Sequence, residues 1–286
     1  MRSEAATAAQ ATSAASASSI GATPRRRDTT GTLATRFLGL VVIALMGLLV
    51  FLGLVASPQD VNQGDAVRLL YLHVPAAEMT YVAFGVAALC SAAYLWRRTR
   101  SMAWDRVANA SVEIGVVLCA LMLISGSLWG RLTWSQFWTW DARVTSSALL
   151  FVMFLGYLAV RTLEGTNEQR ARRSAVVCLV AILDVPLVHY SVDWFRTVHQ
   201  RPTFVVKGSN IEGIFRFTHF VGFTTFLLAY IWLMLHRNRV AMLEEITEST
   251  MLEAAIVERQ REGASDGGRA VDAGAGAVVG ATGVRP

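Results

Sequence analysis

Residues 37–56, FLGLVVIALMGLLVFLGLVA, run for 20 residues without a charge. Such a run cannot hide its surface in a small water-soluble core, whereas a helix of roughly 17–25 apolar residues crosses the hydrocarbon of a bilayer. Five more runs follow, at 76–96, 110–129, 144–160, 175–188 and 214–235, the fifth being short. None shows the alternation of a barrel strand, and only helices or closed barrels satisfy their backbone polar groups in lipid. The fold class is therefore an all-α integral membrane protein, a bundle of six transmembrane helices. Only 16% of residues are charged, against about a quarter in soluble domains. The first run is too long for the apolar core of a secretory signal, so it is expected to remain as a span.

Arginines set the orientation. Arg25, Arg26, Arg27 and Arg36, then Arg97, Arg98 and Arg100, then Arg161, Arg170, Arg172 and Arg173, then Arg237 and Arg239 fall on one side. The other side holds Arg68, Arg131, Arg143, Arg196, Arg201 and Lys207, roughly half as many, so the richer side is expected to be cytoplasmic, with both termini there. This placement also accounts for the net charge of +5 without nucleic acid, since the arginines do not interleave with aromatics on a polar face.

Residues 1–33 are rich in Ala, Ser and Thr and read as a disordered cytoplasmic tail. Residues 34–236 hold the six-helix membrane domain, and 237–286 a cytoplasmic helical extension followed by a flexible tail from about residue 262. Cys90, Cys119 and Cys178 lie far apart in apolar runs, with no CxxC or CxxCH spacing. There is no GxxxxGK[ST] phosphate loop, so the chain carries no ATPase motif of its own.

Three segments then project outward: 57–75, 129–143 and 189–213. The middle one, WGRLTWSQFWTWDAR, packs Trp129, Trp134, Trp138 and Trp140 into twelve residues, followed by Asp141 and Arg143, although the chain has only eight tryptophans. His73, in YLHVP, stands at the outer mouth of the second helix, with Pro75 suited to a first helical turn. His189, in PLVHYSVDW, stands at the outer end of the fifth. Two imidazoles from separate helices at one depth could bind an iron from both sides, indoles offer faces for stacking, and Arg131 or Arg143 could pair with carboxylate edges. A flat iron macrocycle with propionates, haem, suits all of these.

Plainer assignments stand beside this one. Tryptophans at membrane interfaces are common anchors, a histidine at a helix end is often only solvated, and Asp141 could simply cap the fourth helix. Of the groups at membrane depth, Glu78 and Glu113 read as structural, as do His219 and His236. Asp184 lies five residues before His189 and faces another side of that helix. His199, in TVHQ, is a spare ligand or a group bonded to one.

On RLLYLHVPAAE, on WGRLTWSQFWTWDAR running into VTS, and on PLVHYSVDWFRTVHQ, in that order, the chain resembles the CcmC-type haem-handling membrane subunit of bacterial cytochrome c maturation, within the larger tryptophan-rich haem-handling family. The likeness covers about residues 35–236. It implies haem b held in transit at the extracytoplasmic face of the plasma membrane, with His73 and His189 as axial ligands and the tryptophan segment as platform. It implies delivery to a membrane-anchored haem chaperone, and partners that include an ABC-type ATPase, a permease-like subunit and a small one-helix protein. A carrier rather than an enzyme is expected, since two histidines fill both axial positions and no thioether-forming domain is visible. The competing class is a permease subunit of an ABC-type transporter moving haem or another substrate, which would need polar groups at several depths. Asp184 departs from the family pattern, where an uncharged polar residue is expected.

Overall fold

The computed structural model describes residues 31–199 and 213–279, with side chains described to Glu262. Helix α1 (Leu33–Phe51) starts from a capping box in which Thr32 and Thr35 satisfy each other's backbone N–H groups, and closes in a π turn, Leu52–Ala56. A 3-10 turn, Asp65–Leu69, leads into α2 (Leu70–Leu95). Ser101 caps α3 (Met102–Trp134), Asp141 caps α4 (Ala142–Arg161), and a Thr166–Gln169 capping box opens α5 (Asn167–Ala181). Helices α6 (Asp184–Trp194) and α7 (Gly213–Val279) complete the order. The described residues hold no strand, and six of their segments are long and apolar enough to cross a membrane.

Apart from Trp96 and the break at 182–183, the six apolar runs lie in helices, and most of these helices outrun them. Hydropathy stops at the first polar residue, whereas a backbone with no proline ahead keeps its hydrogen bonds and lets long polar or amphipathic side chains reach for the interface. Helix α3 thus continues through Trp134, so Trp129 and Trp134 are helical, and only 135–141 of the expected 129–143 loop is irregular. Pro75, expected in a first turn, lies inside α2 because the helix extends back to Leu70. The fifth span, Asn167–Trp194, is broken between α5 and α6. Pro186 explains the break: it has no N–H to offer the carbonyl of Ile182 and its ring crowds that oxygen.

Helix α2 packs along α3 and against α5, while α4 packs on α3, α5 and α6. The centre of the bundle is a stacked pair, Phe84 on α2 and Phe154 on α4, with ring centroids 3.6 Å apart, flanked by buried Met79, Leu150 and Tyr157. At the end away from the tryptophans, Arg161 grips Asp105 with two bonds of 2.7 and 3.0 Å, and Arg237 pairs with Glu113, which also accepts from Asn109 at 2.7 Å. Glu78 meets His219 of α7 at 3.3 Å. Glu78, Glu113 and His219 are therefore paired, as charges at membrane depth usually are.

The chain divides into two compact units after Asn238. The second is helical to Val279, with the Thr247 and Thr250 hydroxyls donating to the carbonyls of Leu243 and Ile246. Helix thus covers much of the expected flexible tail, where frequent alanine favours it despite the glycines. Residues 280–286, like 1–30, lie outside the described residues.

Candidate functional site

The site is built at the tryptophan end of the first unit. Helix α3 ends at Ser135, which takes the left-handed conformation at φ 60° and turns the chain back on itself. Gly130 makes room for the return: a Cβ there would stand 3.2 Å from the carbonyl oxygen of Gln136 and 3.3 Å from the Trp134 ring. Two bonds hold the returning strand of loop, from the Ser127 hydroxyl to the carbonyl of Phe137 (2.6 Å) and from Arg131 to the carbonyl of Ser135 (2.7 Å). The chain then enters α4 through Asp141.

A cleft of about 690 Å³, its open mouth included, lies between this loop, α2, α3, α4 and α6. One wall is a stripe on α2, His73, Ala77 and Tyr81, spaced four residues apart on one face. The facing loop contributes Trp134, Phe137 and Trp138, and the rim holds Arg143 and His199.

Both imidazoles are tied through the same ring atom. His73 Nδ1–H donates to the carbonyl of Met122 at 3.0 Å, with the Ser125 hydroxyl at 3.3 Å. A carbonyl can only accept, so the proton sits on Nδ1 and the lone pair on Nε2. Gly126 permits this seating, since a Cβ there would come within 2.7 Å of the ring. His199 Nδ1–H donates to Asp141 Oδ2 at 3.2 Å, which again leaves Nε2 as the basic nitrogen. Burial pushes the His199 pKa below its ordinary value, against the pull of Asp141. Burial alone would raise the Asp141 carboxyl, but the N–H groups of Val144 and Val198 together with the His199 ring hold it below its usual range. The two are a carboxylate and a neutral imidazole joined by a hydrogen bond rather than an ion pair.

Asp141 is thus a clamp. Oδ1 accepts from the Val144 N–H (2.9 Å) and caps α4, while Oδ2 accepts from Val198 N–H (3.2 Å) and His199. One side chain starts a helix and fastens the segment after α6 over the cleft.

The remaining expected residues scatter around this centre. Trp134 meets the His199 ring edge-on at 4.9 Å, and Trp129 meets His73 at 5.7 Å while its indole N–H donates to Gln63 Oε1 (2.9 Å). Trp138 lines the cleft, but Trp140 is 83% exposed and touches it only through Trp138. Arg131 does not line the cleft; its guanidinium lies over Phe137, 5.6 Å from the ring centroid. Arg143 does line it, and also donates to the carbonyl of His189 at 2.8 Å.

His189 is the main departure from expectation. Its ring is exposed, is absent from the cleft lining, and packs edge-on against Tyr81 (6.2 Å) and Tyr190 (4.9 Å). The rotation of α6 causes this: Val188 takes the inward position, so the next residue turns away. His199, ten residues on, enters instead. Tyr81 and Phe137 escaped the sequence reasoning too, although Tyr81 sits eight residues after His73, on the same helical face.

Comparison with known proteins adds the family. The family model described as CcmC, Heme exporter protein C, matches residues 18–253. "Heme exporter protein C" of Bradyrhizobium diazoefficiens is 35% identical over 230 residues, 76% of this chain and 86% of that protein. The protein of the same description from Haemophilus influenzae is 29% identical over 206 residues, 72% and 83% of the two chains. A "Putative cytochrome c biosynthesis ccmC-like mitochondrial protein" of Arabidopsis thaliana is 29% identical over 221 residues, 77% and 81%. A membrane bundle with this cleft, matched by the family model over most of its length, belongs to the CcmC family.

Proposed function

We propose that this chain holds haem in the cleft between α2 and the tryptophan loop, on the extracytoplasmic side of the bacterial plasma membrane, and delivers it to a membrane-anchored haem chaperone during c-type cytochrome biogenesis. The observation that carries the reading is the pair of imidazoles, His73 and His199, lining one cleft and each fixed through Nδ1 with Nε2 left basic. A bare ion in a protein needs three or four protein ligands, and no group of three or more such side chains gathers among the described residues. Two imidazoles suit a metal that already has four in-plane nitrogens, as iron has in haem b.

The pair of ligands proposed is therefore His73 and His199, in place of His73 and His189. Asp141 orients His199 in the way that carboxylates commonly orient metal-binding histidines, and Met122 does the same for His73. Trp134, Trp138 and Phe137 supply aromatic faces, and Arg143, the one expected arginine that lines the cleft, is suited to a propionate. Filled axial positions leave no open coordination site for oxygen chemistry, which suits a carrier. The cleft opens to the surface, so a histidine of the acceptor can replace His199, whose segment is held over the opening by two bonds to Asp141 and a ring contact with Trp134. Transfer is then an exchange of axial ligands, with the ATPase, the permease-like subunit and the one-helix protein of the complex acting on the loaded chain.

The test is spectroscopic. Protein purified from haem-replete cells should show the Soret band of a low-spin, six-coordinate haem, lost in His73→Ala and in His199→Ala and retained in His189→Ala. Wild-type protein that purifies without haem, with normal cytochrome c maturation in both ligand variants, would defeat the proposal.

A further inference from the structure

We infer that His189 is a second, shallower docking point for the same planar cargo, occupied before the cleft. This rests on the haem-carrier reading above but not on which histidines serve inside the cleft. His189 lies midway along α6 and is exposed, and neither of its ring nitrogens has a hydrogen-bond partner among the described residues. A neutral imidazole with a free lone pair is a competent ligand for one axial position of iron.

Aromatic rings flank that point, and one of them, Tyr81, also lines the cleft. Tyr190, 47% exposed, and Trp194, 60% exposed, stack at 5.5 Å with 26° between their planes, and the His189 ring stands edge-on to Tyr190 at 4.9 Å. His189 also meets Tyr81 at 6.2 Å, and Tyr81 lines the cleft. Arg143 connects the same two places, donating to the His189 carbonyl while lining the cleft. A ledge of stacked rings beside one free imidazole fits a flat, apolar, metallated macrocycle better than it fits a polar solute.

A single imidazole and an open ledge hold such a ligand more weakly than two imidazoles in a cleft, and leave the sixth coordination position free. Movement inward is an exchange in which iron gains the nitrogens of the cleft and loses that of His189. No electron changes hands and no co-reactant is needed.

The test uses the full chain in lipid nanodiscs and hemin as probe. His189→Ala should reach the same low-spin spectrum and the same stoichiometry at saturation, but load several-fold more slowly in stopped flow. Tyr190→Ala, which leaves the imidazole in place, should slow loading as well. The double variant His73→Ala/His199→Ala should still bind hemin, weakly and as a high-spin, five-coordinate species, and adding His189→Ala should abolish that species. Loading of His189→Ala at the wild-type rate, with the double and triple variants indistinguishable, overturns the inference. So does loss of the low-spin band in His189→Ala alone, which would make His189 a ligand of the cleft. A low-spin band that survives in the double variant refutes the ligand pair proposed above, and the double-to-triple comparison still decides the role of His189.

Discussion

At the scale of single residues, Asp141 has the widest reach, because its two oxygens serve different elements. Replacing it with Asn keeps an acceptor for the Val144 N–H but removes the carboxylate that orients His199. Loss of such a supporting group typically weakens metal binding about 10–100-fold. Asp141→Asn should therefore weaken hemin affinity by that order in a spectroscopic titration while the melting temperature hardly moves. Asp141→Ala should add the cost of a lost helix cap, about 1 kcal/mol, visible as a lower melting temperature in the same detergent. Equal affinity in both variants and the wild type would separate Asp141 from the ligand it touches. Little of this was legible in the sequence. The expectation placed both His189 and His199 in one outward segment, and which of them turns inward depends on the rotation of α6 and on a bond to a residue 58 positions away. His73 was easier to find, because its position at the mouth of an apolar run fixes its depth and the α2 periodicity fixes its face.

At the scale of elements, the six helices could be read because membrane length and uninterrupted apolarity are local properties. Their ends could not, because a helix end is decided by capping groups and by conformations such as that of Ser135. The break in the fifth span had a local signal, Pro186, which the short run at 175–188 already hinted at. The ion pairs had no local signal: Asp105 and Arg161 lie 56 residues apart. Asp105 is 6% exposed, and removing one partner of a buried pair commonly costs about 3–5 kcal/mol, whereas replacing both with apolar groups of similar size is often nearly neutral. Arg161→Met should therefore lower the thermal stability of the purified protein sharply, and Asp105→Leu in the same chain should restore most of it. A double variant no more stable than the single one would show that the pair contributes more than mutual neutralisation.

At the scale of the whole molecule, the arginine distribution predicts which face carries the cleft, and buried Cys90, Cys119 and Cys178 make that simple to measure. Thiols buried among apolar groups react slowly, so single cysteines added at Ser135 and at Arg98 should report alone. A membrane-impermeant maleimide should label Ser135→Cys in intact cells and Arg98→Cys only after permeabilisation. The reverse pattern would put the cleft in the cytoplasm and remove the basis for delivery outside. The two ends of the bundle also differ in how they are fastened. One is locked by arginine–carboxylate grips between helices, Asp105 with Arg161 and Glu113 with Arg237. The other is gathered by single hydrogen bonds, among them Trp129 to Gln63 and Ser127 to the carbonyl of Phe137, and by Asp141. Local opening costs least where few buried bonds must break, so the rim can gape and reclose many times while the foundation stays shut, as a purse opens at its drawstring and not along its seams.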